Sequence, residues 1–269
     1  MNILLLICCF LIILTLYLHI IKEYQHSDLL NVYESEFISD RNFNKICNLQ
    51  QPFIMNLDME CNYIIQNETE LNVKDICDNE VVSLSYDSLN NLVNQQKKYY
   101  SENNHSFVIE HLTKNYSDFD SILRPYLNIN TKYDYLYGSP EIQTVTKYHM
   151  SSRSFLYVKD GSIIVKFACW KSREIFGPII DYERMQFLSE KNIWTICDDT
   201  ISINVEKGSI LFIPPWWFYS IQFNETSEIM YFEYQTMLNF IINSHHLCLH
   251  YLQSSNIKSK VLEYASESI

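Results

Sequence analysis

His246 and His250 stand four residues apart in a segment with near-helical apolar spacing. Their rings would share one helix face and could grip a metal ion if a carboxylate approached. No third ligand is evident nearby, so the pair reads as surface or core-edge histidines. His149, in "KYHMS", and the aromatic stretch "GSILFIPPWWFYSI" from Gly208 to Ile221 hold the other side chains whose types could meet a ligand. The cysteines are quiet. Cys8 and Cys9 lie in an apolar run, and Cys47, Cys61, Cys77, Cys169, Cys197 and Cys248 form no C-x-x-C pair, which argues against a zinc site or a redox dithiol. Glycine occurs only at 138, 161, 177 and 208, so a phosphate-cradling loop or a dinucleotide fingerprint is absent. No G-x-S-x-G elbow occurs either.

The 269 residues, 47% of them hydrophobic, suffice for one good-sized domain and an appendage. A formal charge of -12 argues against a phosphate-tracking surface, and hence against nucleic acid as a partner. Residue usage is rich in Asn, Ile and Tyr and poor in Gly, a skew that discounts the glycosylation sequons at Asn67, Asn104, Asn115 and Asn224.

These residues need elements to position them. Ile3 to Ile21 carries no formal charge and would span about 28 Å as a helix, close to the hydrocarbon thickness of a bilayer. Residues 1–22 therefore read as a single-pass transmembrane anchor. The rival, a cleaved signal peptide, lacks a basic n-region and a small-x-small cleavage site. Residues 23–41 read as a linker, 42–235 as the folded domain and 236–269 as a C-terminal helical segment. Within the domain, "CNYII", "VVSLSY" and "SFVIEHL" are short apolar runs, and "YDSLNNLVNQQKKYYSE" holds a possible helix. From Tyr133 onward the pattern is strand-like. "SFLYV" and "SIIVKFACW" meet at Lys159-Asp160-Gly161, a strong hairpin signal, because Asp-Gly supplies positive φ for a tight turn. "TISINV" alternates Ile201, Ile203 and Val205, then "SILFI" follows the Glu206-Lys207-Gly208 turn. Such a succession predicts a mainly β fold, a double-sheet jelly roll or barrel. Met237, Leu238, Ile241, Ile242, Leu249 and Leu252 predict a helix packed on the sheet.

From about Gln51 to Tyr234 the chain resembles the cupin-like branch of the Jumonji-type fold, whose working members are Fe(II)- and 2-oxoglutarate-dependent oxygenases. The resemblance lies in "QPFIMNL" as entry strand, "TVTKYHMSSRSFLYVKDGSIIVKF" as first ligand strand, and "VEKGSILFIPPWWFYSI" as distal-ligand strand. With the anchor and the tail "EYQTMLNFIINSHHLCLHYLQSSNIKSK", it extends to membrane-anchored cupin-like proteins of large DNA viruses. It implies a double-stranded β-helix with flanking helices and an N-terminal transmembrane helix.

The resemblance also implies a ligand set, two histidines and one carboxylate with open positions for co-substrate and dioxygen. His149 falls on the first histidine. Ser151 stands where His-x-Asp requires the carboxylate, and Tyr219, a phenol with pKa near ~10, replaces the distal histidine. Thr146 matches a position that hydrogen-bonds 2-oxoglutarate in the family. The expected basic anchor falls near Ser162 or Ile163, with Lys166 close by. The expectation is a pseudoenzyme whose iron site, at His149, Ser151 and Tyr219, is degenerate and binds no metal. It would have no cofactor, a ligand pocket at Thr146, Trp216 and Trp217, and a binding or structural role on a host or virion membrane. Trp216 and Trp217 also have a reading as core or rim packing. The alternative is an Fe(II)/2-oxoglutarate hydroxylase whose missing ligands come from His105, His111 or Glu174. A third reading is a structural virion-membrane component with a collapsed pocket.

Overall fold

Apolar residues occupy both faces of most strands in the second half of the chain, so the sheet they build must be covered on both sides. The computed structural model describes residues 3–36, 40–56, 70–75, 81–94, 98–109, 116–196 and 198–259. The first half runs α1 (Ile3–Tyr24), β1 (Tyr33–Glu36), α2 (Asp40–Cys47), β2 (Phe53–Asn56), β3 (Glu70–Asp75) and β4 (Val81–Ser85). It continues through α3 (Tyr86–Asn94), β5 (Tyr99–Ser101), α4 (His105–Phe107) and α5 (Ser117–Leu123). Next come β6 (Asn128–Gly138), β7 (Arg153–Asp160), β8 (Ser162–Ala168), α6 (Arg173–Phe176), β9 (Pro178–Asp181) and β10 (Gln186–Ser189). The chain closes with β11 (Thr200–Glu206), β12 (Ser209–Ile213), β13 (Phe218–Phe223), β14 (Ser227–Thr236) and α7 (Met237–Ser259).

One large mixed sheet has the order β1-β2-β12-β7-β14-β6-β5-β3-β4, antiparallel except for the β1–β2 pair. A smaller sheet, β11-β8-β13, faces it, and Lys147, bridging both Tyr219 and Leu188, ties β13 to the β10–β9 hairpin. Strand alternation sorts the side chains. Leu156, Val158, Leu211, Ile213 and Ile229 turn inward to meet Ile163, Val165, Phe167, Val205 and Ile221 of the smaller sheet. Phe155, Tyr157, Phe212, Phe232 and Tyr234 turn outward under Phe43 and Cys47 of α2, Leu89 of α3 and Leu123 of α5. Each fully buried Phe or Leu in these layers contributes about 1.5–3 kcal/mol of transfer free energy. The flanking helices and mainly β character match expectation, and no closed barrel is shown among the described residues.

Two expectations change. β7 and β8 do not pair as a hairpin; β7 bonds to β12 and β14, β8 to β11 and β13. The Asp160-Gly161 turn instead carries the chain from one sheet to the other. Gly161 has φ +81°, and a Cβ there would lie 2.3 Å from Ser227 Oγ, so only glycine fits. Asp-Gly dictates reversal, whereas partner choice follows from which face each strand must bury. Secondly, the expected anchor residues form α1, which contacts α7 and leaves Leu5, Phe10, Ile13 and Tyr17 exposed. Among the described residues, no helix is long and apolar enough to cross a membrane.

Smaller differences are local. The stretch read as linker adds β1 as an edge strand, parallel to β2. Of the possible helix, Tyr86–Asn94 form α3 and Tyr99–Ser101 form β5, while residues 95–97 lie outside the described residues. "CNYII" lies outside the described residues.

Candidate ligand cavity

Reciprocal main-chain bonds, Lys147 N to Tyr219 O at 2.9 Å and Tyr219 N to Lys147 O at 2.8 Å, hold the segment before β7 against β13. Trp216 N then donates to His149 O at 2.9 Å, which brings the His149 and Tyr219 rings within 6.4 Å, centroid to centroid. His149 Nε2 lies 3.1 Å from the Ile213 carbonyl and Nδ1 lies 3.2 Å from Ser154 Oγ. A carbonyl only accepts, so these partners assign the proton to Nε2 and leave Nδ1 accepting from Ser154. Burial lowers the His149 pKa, partly offset by the Glu233 charge, and keeps the ring neutral.

β14 supplies what motif reading missed. Its inward face presents Tyr231, Glu233 and Gln235. Ser151 Oγ donates to Glu233 Oε1, Tyr231 Oη lies 3.2 Å from both Glu233 Oε2 and Ser154 Oγ, and Gln235 Nε2 lies 3.4 Å from Ser151 Oγ. Burial pushes the Glu233 pKa up, but Lys132, His149 and the two hydroxyl donors outweigh it, and the carboxyl settles below its ordinary value. The signal lay in "EIMYFEY". Ile229, Tyr231 and Glu233 alternate with Met230, Phe232 and Tyr234, so a charge sits on a strand face that is otherwise core.

Lys147 is the second residue the motifs did not reveal. Its Nζ pairs with Glu102 Oε2 at 3.0 Å and sits 5.8 Å over the Tyr219 ring. Burial opposes its charge, yet Glu102 and Tyr219 more than compensate, so its pKa is raised. Burial pushes the Tyr219 phenol up to about 12 against the pull of Lys147, so it stays protonated at neutral pH.

These groups line a cavity of about 310 Å³ between the sheets. Leu136, Leu156, Val145 and Ile221 form apolar walls, Tyr148 and Phe187 add rings, and Lys132 and Arg184 belong to its exposed rim. Thr146, Trp216 and Trp217, the expected pocket residues, are not among those that line this cavity. Thr146 Oγ1 accepts from Ile193 N at 2.8 Å, and Trp217 is buried between the sheets against Phe167. Trp216, at φ +67°, packs on Trp170 and Tyr24. Lys166 bonds the Ile196 carbonyl at 2.7 Å from the face of β8 opposite Val165 and Phe167.

The proposed substitute ligands do not gather here. His105 Nδ1 lies 2.8 Å from the Tyr133 carbonyl, Glu174 is exposed on α6, and His111 lies outside the described residues. His246 and His250 both engage Tyr182, at its hydroxyl (3.0 Å) and its carbonyl (2.6 Å), and so fasten α7 to the β9–β10 hairpin. Among the described residues no group of three or more His, Cys, Asp or Glu is placed to hold a metal ion. The donor set does not fit Fe(II): both nitrogens of His149 are engaged, Ser151 offers a hydroxyl, and Tyr219 a protonated phenol.

Fold and site together define a class, a mainly β protein whose facing sheets enclose a cavity with a polar floor and apolar walls. The chain matches no family model and no curated protein.

Proposed function

We propose that this chain is a membrane-anchored, non-catalytic cupin-like domain that works by binding a small ligand in the cavity. The observation that carries this reading is the tying of His149 Nε2 to Ile213 O and Nδ1 to Ser154 Oγ, which leaves no free lone pair for iron. Ser151 is likewise bonded to Glu233, and the Tyr219 ring packs beneath the Lys147 ammonium, so the inherited ligand positions support the floor of a cavity. Successive strands that cross between two facing sheets at Gly161 and Gly208 support a double-stranded β-helix as the finer description. The apolar helix α1, with most of its Leu and Ile side chains exposed, supports anchoring in a host or virion membrane.

The test is turnover. Full-length protein supplied with Fe(II), ascorbate and 2-oxoglutarate should release no succinate beyond the protein-free control. Stoichiometric or catalytic succinate release would overturn the reading in favour of a hydroxylase.

A further inference from the structure

Glu233 brings a carboxylate to the lining of the cavity. Its carboxylate accepts from Ser151 and Tyr231, yet among the described residues no Lys, Arg or His lies within salt-bridge distance of it. Of the cavity's other carboxylates, Glu102 pairs with Lys147 at 3.0 Å, and Asp134 faces away to accept the backbone amides of Asn103 and Asn104 at 2.9 and 2.6 Å, whereas Glu233 is held by side-chain hydroxyls within the cavity. Lys132, directly opposite Glu233 in the β14–β6 ladder, lowers the Glu233 pKa by its charge without coming within salt-bridge distance, and its side chain is exposed at the rim. A half-buried carboxylate whose hydrogen-bond partners are neutral gains from an opposite charge brought to it.

The surroundings suit a cation with an apolar body. Tyr148 and Phe187 set their ring centroids 5.5 Å apart in the same cavity, and ring faces attract ammonium groups. Lys147 already makes this contact with Tyr219, at 5.8 Å. Leu136, Leu156 and Ile221 offer apolar surface, and about 310 Å³ is at the small end of ligand cavities. An anionic ligand reaching the floor would face Glu233 while the ammonium of Lys147 is held by Glu102, the remaining cations Lys132 and Arg184 lying out at the exposed rim.

We propose that the cavity binds a small primary amine in its ammonium form, the charge resting on Glu233 and an apolar or aromatic body lying against Leu136, Leu156 and Ile221. This rests on the reading of the cavity as a metal-free binding site. Calorimetric titration of the full chain in maltoside micelles and amine-free phosphate buffer would compare phenethylamine with 2-phenylethanol and 3-phenylpropionate. Saturable binding of phenethylamine is expected, with the alcohol and the carboxylate weaker by at least about tenfold, the loss typical of a missing charge-assisted hydrogen bond. E233Q should bring the amine down to the alcohol's affinity. Equal or tighter binding of 3-phenylpropionate, unchanged amine binding in E233Q, or no saturable amine binding would each overturn the proposal. Should E233Q fail to fold, F187L replaces it, and there the amine must weaken more than the alcohol; equal weakening counts against the proposal. An Fe(II) titration run alongside separates the two claims. Tight iron binding overturns the metal-free reading, whereas absence of both iron and amine binding overturns the amine proposal alone.

Discussion

His149 shows how one buried side chain registers its surroundings. Folded, it resists protonation because of burial, while in the unfolded chain it takes up a proton below about pH 6.5. Its contribution to stability is therefore complete above that pH and falls as the pH drops toward the lowered folded value. Thermal midpoints measured from pH 7.5 to 5.5 should decline, and H149Q should flatten part of that slope; an identical slope in H149Q would contradict the assignment. Ser151 gives a second prediction. Because its hydroxyl serves Glu233, S151D sets two carboxylates face to face, and should cost about 1–2 kcal/mol, or several degrees in thermal midpoint. The loss should shrink at pH 5, where one carboxyl of the pair takes up a proton.

At the scale of elements, the two crossing turns make a controlled comparison. Gly161 and Gly208 share nearly the same backbone, φ +81° and +82°, but a Cβ at 161 meets Ser227 Oγ at 2.3 Å while one at 208 meets nothing within 4 Å. G208A should cost about 1 kcal/mol for the left-handed conformation alone. G161A adds a clash and should cost clearly more, about 2–4 kcal/mol. Urea unfolding midpoints of the two variants test the order. The strands around these turns were legible from alternation and Asp-Gly chemistry, as was α7 from its apolar spacing. Which strands would pair was not, because β7 and β8 are adjacent in sequence yet belong to different sheets, and sheet membership is set by contacts distant along the chain. The same limit applied to the site. His149 stood out by type, whereas Glu233 and Lys147 gained meaning only when β14 and the β13 bridge brought them to the cavity. Trp217 attracted notice as an aromatic beside a presumed site and proved to be core, since strand alternation turns it toward Phe167.

For the whole molecule, the anchoring proposal rests on α1 and predicts that the full chain stays with membranes through alkaline carbonate washing, whereas a chain beginning after Tyr24 is released. Recovery of the full chain in the carbonate supernatant would count against anchoring. The account's central claim is that the cavity floor is a protein hydrogen-bond network in place of an iron site. Anaerobic titration with Fe(II), or with Co(II) as its spectroscopic surrogate, tests this most directly, on the wild type and on the S151D/Y219H double variant. The wild type should show no stoichiometric metal binding, because His149 keeps both partners and neither Ser151 nor Tyr219 replaces a carboxylate or an imidazole. The double variant should bind more tightly by far more than the sum of its single changes. Tight binding of one metal ion per wild-type chain would contradict the account.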